Sequence, residues 1–174
     1  MKFLKKIKFI IIVLIIFQNP SVAEIPYFID FKYILNQSEA GKKAQKFLKD
    51  KLSGGIEKIK NKEKSIQDDE KKIIQQKKII SADEYKKKVT DLRKKVSSLR
   101  LERNKLLDDV AKQRTKAREE LLKNLNPILK EYMKEKNIRM IIDKKSMLLA
   151  DENLDITKDV IKILNQKLKS IKLN

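Results

Sequence analysis

The chain has no cysteine and no histidine, which removes disulfides, Cys or His metal ligation, and any catalytic scheme built on a Cys nucleophile or a His base. Its stability has to come from packing or from other subunits. Aromatic residues make up only 6% of the 174 residues while charged residues make up 39%, poor material for one globular core and better suited to long exposed helices. Carboxylates are plentiful, but none lies in a recognisable catalytic motif or a predicted apolar pocket, so neither enzyme activity nor a cofactor is expected.

What is abundant is positive charge: 43 Lys and Arg against 24 Asp and Glu, a formal net of +19. Four of the lysines (Lys2, Lys5, Lys6, Lys8) precede the unbroken apolar run Phe9 to Phe17 and the small-x-small sequence Ser21-Val22-Ala23. This arrangement predicts a secretory signal peptide over residues 1–23, cut after Ala23, and hence export to the periplasm. Removing those four lysines and no acid leaves 39 basic against 24 acidic residues, a net of +15. The alternative is an uncleaved membrane anchor through Ile7 to Val22. Its apolar core falls short of the roughly 20 residues a comfortable span needs.

Beyond the signal, Ile25 to Phe31 is aromatic and β-branched and reads as a strand of about five residues, followed by a short helical turn from Phe31 to Leu35. Ser38 then caps a long helix. Its apolar seam is Leu52, Ile56, Ile59, Ile66, Ile73 and Ile80, with the charged positions Glu63, Glu70 and Lys77 completing the alternating spacings of three and four. Ser81 with Glu84 three residues later forms a capping-box signal, so the chain is expected to turn there and start a second helix. No Gly or Pro marks this turn, and one continuous helix is the alternative. The second seam is Tyr85, Val89, Leu92, Val96, Leu99, Arg103, Leu106, Val110, Gln113 and Ala117.

Folding one arm on the other about Ser81 pairs Ile73 with Leu92, Ile66 with Leu99, Ile59 with Leu106 and Ile56 with Val110, and predicts an ion pair between Glu63 and Arg103. With some 38 residues per arm, the antiparallel hairpin should project roughly 55 to 60 Å. Gly54 and Gly55 near its base are either a hinge or a tolerated packing feature. Asn126-Pro127 is expected to kink or restart the helix. After it, Ile138 to Asp143 and Ser146 to Ala150 read as two strands, and Asp155 caps a last helix with the apolar face Val160, Ile161, Leu164 and Leu168.

The fold expected is therefore α+β but mostly α. A small β body, residues 24–41 and 126–174 with strands from both chain ends, carries a coiled-coil tentacle over residues 42–125 with its tip near 81. Three short strands leave edges that a monomer covers poorly, which favours oligomerisation.

The run Ile29 to Lys42 and the segments Ile138 to Asp143, Leu149-Ala150-Asp151 and Leu154 to Ile161 resemble the Skp/OmpH-like family of periplasmic chaperones. The resemblance spans essentially the whole mature chain; Gly54-Gly55 and the unusually lysine-rich arm depart from it. It implies a homotrimer with three helical tentacles around a central cavity, holding unfolded outer-membrane proteins without ATP.

The residues expected to make such contacts lie on the distal arms. Lys71, Lys72, Lys77, Lys78, Lys86, Lys87, Lys88, Arg93, Lys94, Lys95 and Arg100 face three acids in the same stretch, a local net of +8, suited to acidic clients or an anionic lipid surface. A solvated face is the plainer reading of that charge. Ile74, Ile79, Leu101 and Leu107 lie off the seam as candidate apolar contacts. The competing functions are an envelope tether anchored at its amino terminus and a basic coiled coil on nucleic acid. No base-stacking cluster or reading motif supports the latter, and an exported protein rarely meets nucleic acid.

Overall fold

The structure is a computed structural model that describes residues 25–173, so the expected signal peptide lies outside the described residues. In chain order the elements are β1 (Tyr27–Ile29), α1 (Phe31–Gln37), α2 (Glu39–Gln76), α3 (Ala82–Glu135), β2 (Ile141–Asp143), short 3₁₀ turns at Lys144–Ser146 and Glu152–Leu154, and α4 (Thr157–Lys167). The molecule is mostly helical around a small sheet.

Helix boundaries follow local chemistry. Asp30 starts α1 by accepting from the Tyr33 amide at 2.7 Å, and Ser38, fully buried, starts α2 by accepting from the Gly41 amide at 3.1 Å. A second cap comes from far along the chain, where Asn165 Oδ1 accepts from the Glu39 amide at 2.8 Å. Ser81 has an extended ψ of 156° and its Oγ accepts from the Glu84 amide at 3.2 Å, so the chain turns here and a new helix begins. The Glu84 carboxylate meets Lys88 at 3.3 Å. α3 runs unbroken through Pro127 rather than restarting there, with Leu125 and Ile128 buried on the core side. It ends at Glu135, and the chain leaves it through Asn137, whose φ of 54° is left-handed, while the Ile138 amide donates back to the Met133 carbonyl at 2.8 Å.

The core gathers residues from both ends of the chain: Ile29, Phe31 and Ile34 pack with Leu121, Leu125 and Ile128 of α3 and with Ile156, Val160 and Leu164 at the carboxyl end. Thr157 ties the two ends by accepting from the Asp30 amide at 2.8 Å. The sheet is smaller than expected. β1 pairs in parallel with β2, Phe28 opposite Ile142, and its other side is occupied at Asp155, where the Ile156 amide donates to the Phe28 carbonyl at 3.1 Å. β1 is taken on both sides, and the expected strand over Ser146 to Ala150 pairs neither with it nor with the free edge of β2 among the described residues. It is not a strand; Leu148 and Leu149 stand almost wholly in solvent, at 106% and 93% exposure.

α2 and α3 touch along their length, and the partners run in opposite order. Gln76 accepts from Lys88 at 2.7 Å, Asp69 meets Lys95 at 2.7 Å, Lys62 pairs with Glu102, and Gly55 lies against Leu106. The expected apolar layers survive: Ile59 is buried and Ile66, Ile73, Leu92, Leu99 and Leu106 are half-buried. Of the intervening seam positions, Val89 is half-buried and Val110 buried as expected, whereas Ile56, Glu63, Glu70, Val96 and Arg103 are exposed. Around those exposed positions the contacts between the arms fall one residue earlier, at Gly55, Lys62 and Asp69 on α2 and at Lys95 and Glu102 on α3.

This displacement has a simple cause. Spacings of four then three and of three then four reach the same next seam residue, so every second position is ambiguous by one. In consequence Ile56 and Val96 face solvent, and Glu63 and Arg103, although they line one groove, make no ion pair with each other among the described residues. Charge complementarity across the arms is met by their neighbours instead.

Candidate functional site

The surface that carries the candidate contacts is the distal part of α2 and α3 and the turn between them. Along α2 the last buried residue is Ile59, and along α3 the first is Val110; between those points every described residue is half-buried or exposed. So extended a surface has no water-excluding interior, and it presents side chains to whatever lies beside it. The grooves along it are shallow, the one lined by Glu63, Ile66, Val96, Leu99 and Arg103 enclosing about 350 Å³.

The eleven basic residues do not form one patch of free charge. Lys71 pairs with Asp68 at 4.0 Å, Lys94 with Asp91 at 3.8 Å, Lys95 with Asp69 at 2.7 Å and Lys88 with Glu84 at 3.3 Å. The Lys77 ammonium lies over the Tyr85 ring, 5.8 Å from its centre. Lys72 is exposed and adds its field to that of Lys95 at Asp69. Lys78, Lys86, Lys87, Arg93 and Arg100 are exposed with no ion-pair partner among the described residues. They are the most available for an outside anion.

Asp69 shows how that positive surroundings acts on an acid. The hydrogen bond from Lys95, then the Lys95 charge itself, hold its carboxyl below the ordinary value of 3.8. The contact is therefore ionic at neutral pH.

Ile74, Ile79, Leu101 and Leu107 are all exposed, as expected, and Ile79 at the turn is the most open of the four at 82%. They are distributed over the two arms rather than joined in one pocket. Gly54 and Gly55 both lie inside the unbroken α2. A Cβ on Gly54 would meet open space, whereas one on Gly55 would lie 2.5 Å from a Leu106 methyl. Gly55 thus marks a close approach of the two helices.

A second exposed apolar surface lies at the body. It is divided between Leu148 and Leu149, which line a cavity with Phe28 and Lys144, and a separate groove of about 540 Å³ in which Met140, Ile141 and Ile142 face Leu122, Leu129 and Met133 of α3. Sequence reasoning misassigned Leu148 and Leu149 to a strand. The available signal was that Met147-Leu148-Leu149-Ala150 lacks the alternation of a half-buried strand.

Among the described residues no cluster of Asp and Glu is arranged to hold a metal ion, and no helix is long and apolar enough to cross a membrane. The family model of outer membrane proteins of OmpH-like type matches residues 27–164. Among solved structures, the chain is similar to a protein from Caulobacter crescentus CB15 assigned as an OmpH-like outer membrane chaperone, with a TM-score of 0.80 at 18% identity, covering 91% of this chain and 95% of that one. No curated protein matches the chain. From its amino-terminal strand to its last helix, the chain belongs to the OmpH-like family of outer membrane proteins.

Proposed function

We propose that the chain is an ATP-independent holdase of the periplasm that binds unfolded outer-membrane proteins and keeps them from aggregating in transit. In this reading α2 and α3 form an antiparallel hairpin tentacle over residues 42–125, carried on a body of residues 24–41 and 126–174, and three copies assemble through their bodies. Membership of the OmpH-like family supports a chaperone role. The observation that carries the reading is the surface of the limb, where separate exposed apolar side chains stand among unpaired cations with no enclosed pocket.

Such a surface suits a client that must be held and then released. Each exposed Ile or Leu offers a contact that saves some apolar area from water, at about 25 cal/mol per Å², and none is deep enough to trap a chain. Lys78, Lys86, Lys87, Arg93 and Arg100 would draw acidic stretches of a client toward the limb by long-range attraction, an effect on association rate that weakens with salt. The same charge suits anionic lipid.

Photo-crosslinkers placed at Ile74, Leu101 and Leu107 test the reading. An unfolded outer-membrane protein should crosslink at all three and its folded form at none. Neutralising Lys86, Lys87 and Lys88 together should slow client association at low salt and leave it unchanged at high salt. Crosslinking confined to the body, with an unaltered on-rate, would refute the limb as the client surface.

A further inference from the structure

Where the limb meets the body, α2 and α3 flank a groove of about 1130 Å³, just above the roughly 300–1,000 Å³ of small-molecule sites. It follows α2 from Gly41 to Leu52, about 16 Å at 1.5 Å per residue. Its floor is apolar: Ala44, Leu48 and Leu52 of α2, Val110 and Ala117 of α3, and Ile171 from the chain beyond α4. Lys169 holds that last segment in place by meeting the Glu39 carboxylate at 3.3 Å. The sides are basic. Lys32 comes from α1, Lys46 and Lys49 from α2, and Arg114 and Arg118 from α3, against one acid, Asp50. Arg118 lies over the Phe31 ring, 5.6 Å from its centre, whereas Lys32, Lys46, Lys49 and Arg114 are exposed with no ion-pair partner among the described residues. Counted from the contact of Gly55 with Leu106, Lys49 and Arg114 stand six and eight residues toward the body, on opposite helices and within about 3 Å of one level.

An apolar floor between free cations selects among occupants. An extended polypeptide brings an amide and a carbonyl at every residue, and burying either without a partner is unfavourable. The polar side chains of this groove are already engaged: Gln45 Nε2 donates to the Leu35 carbonyl at 3.2 Å and to Asn36 Oδ1 at 2.6 Å, and the Thr115 hydroxyl donates to the Ala111 carbonyl at 3.3 Å. An acyl chain carries no such groups, and a carboxylate at its end matches cations standing on both sides. We propose that the groove binds a free fatty acid, its chain over Leu48, Leu52 and Val110 and its carboxylate against Lys49 and Arg114. The site lies at the root of the limb, apart from the distal contacts of the holdase reading, and requires no client.

The probe is cis-parinaric acid, a fluorescent fatty acid, titrated into the protein below its micelle concentration. Its emission should rise and saturate at one molecule per chain. Laurate should displace it, and dodecyltrimethylammonium, of the same chain length and opposite charge, should not. Lys49→Gln with Arg114→Gln should raise the Kd of the probe about fourfold, roughly twofold per exposed charge. Gln45→Trp, which fills the groove from its side, should abolish saturable binding, and Lys86→Gln with Lys87→Gln, at the distal turn, should leave it unchanged. Because all of these positions are exposed, unchanged helical circular dichroism verifies that each variant is folded. Emission that never saturates, equal displacement by the cationic amphiphile, binding indifferent to the Lys49, Arg114 and Gln45 changes, or loss with the distal pair would overturn the proposal. Displacement by an acidic helical peptide but not by laurate would also overturn it and assign the groove to a protein partner. Loss of aggregation suppression with probe binding intact would refute the holdase reading and leave the fatty-acid site standing.

Discussion

Gly54 and Gly55 are neighbours with opposite consequences for substitution. Gly54→Ala adds a methyl into open space on a helix and should stabilise the protein by about 0.5–1 kcal/mol, the ordinary gain in helix propensity. Gly55→Ala places its methyl against both Leu106 methyls, so Leu106 must move or the helices must part. It should leave the protein about 1–2 kcal/mol less stable than Gly54→Ala, as urea unfolding can measure. Gly41 is stricter still, because a Cβ there would lie 2.0 Å from the Leu35 carbonyl oxygen, a backbone atom. We expect Gly41→Ala to cost upwards of about 2 kcal/mol by dislodging the start of α2. The hinge proposed at the two glycines is tested by spin-label distances across the arms: Ala at both positions narrows the distribution if they flex. At this scale the sequence is most legible where the device is local. Ser38 and Ser81 are recognisable because a cap needs only a hydroxyl and the amide three residues on. Asn165, which also caps α2, is separated from Glu39 by 126 positions and leaves no local signal.

The two long helices show where periodicity informs and where it stops. Apolar layers at Ile59, Ile66 and Ile73 are evident from spacing alone, since three plus four residues is two turns whichever comes first. The order within each heptad depends on which polar neighbour meets the other helix, and a three-four spacing rule is indifferent to that. So the expected Glu63–Arg103 pair becomes Lys62–Glu102, one residue away on both arms. The same layers imply a gradient of stability, because buried residues stop at Ile59 and Val110 while the core lies around Leu121, Leu125 and Leu164. Hydrogen exchange should find amides near Ile73 and Leu92 opening by local fraying, with those near Leu125 exchanging only on global unfolding.

Acid bears on the Asp69–Lys95 contact with a definite sign. The folded carboxyl titrates below its ordinary 3.8, so whatever the pair contributes is present above that value and is lost as pH falls through the folded value. Both partners are open to solvent, so the contribution to stability is small; NMR titration of the Asp69 carboxyl should give a midpoint below 3.8 that rises in Lys95→Gln, and an unchanged midpoint would assign the shift to other groups. The strand misreading belongs to this scale too. Met147 to Ala150 is an apolar run without the alternation of a half-buried strand, and among the described residues it joins neither β1, taken on both sides at Phe28, nor the free edge of β2.

For the whole molecule, the unpaired apolar surface at the body bears on assembly. Leu148 and Leu149, beside Phe28 and Lys144, are too exposed to serve the fold of a single chain. If three bodies associate through this surface, Leu148→Lys with Leu149→Lys should reduce the mass found by light scattering from trimer to monomer while helical circular dichroism persists. An unchanged mass would move the interface elsewhere. Neither the number of copies nor the client is legible in one chain's residues, because both depend on surfaces that meet only outside it.

The account rests most heavily on the limb as a holder of unfolded chains. It is tested most directly by diluting a urea-denatured outer-membrane barrel protein from denaturant into buffer with and without this protein and following aggregation by light scattering. The account predicts that a modest excess suppresses aggregation without ATP, and that suppression weakens when Ile74, Leu101 and Leu107 are replaced by serine. Aggregation that proceeds unchanged at several-fold excess would contradict it.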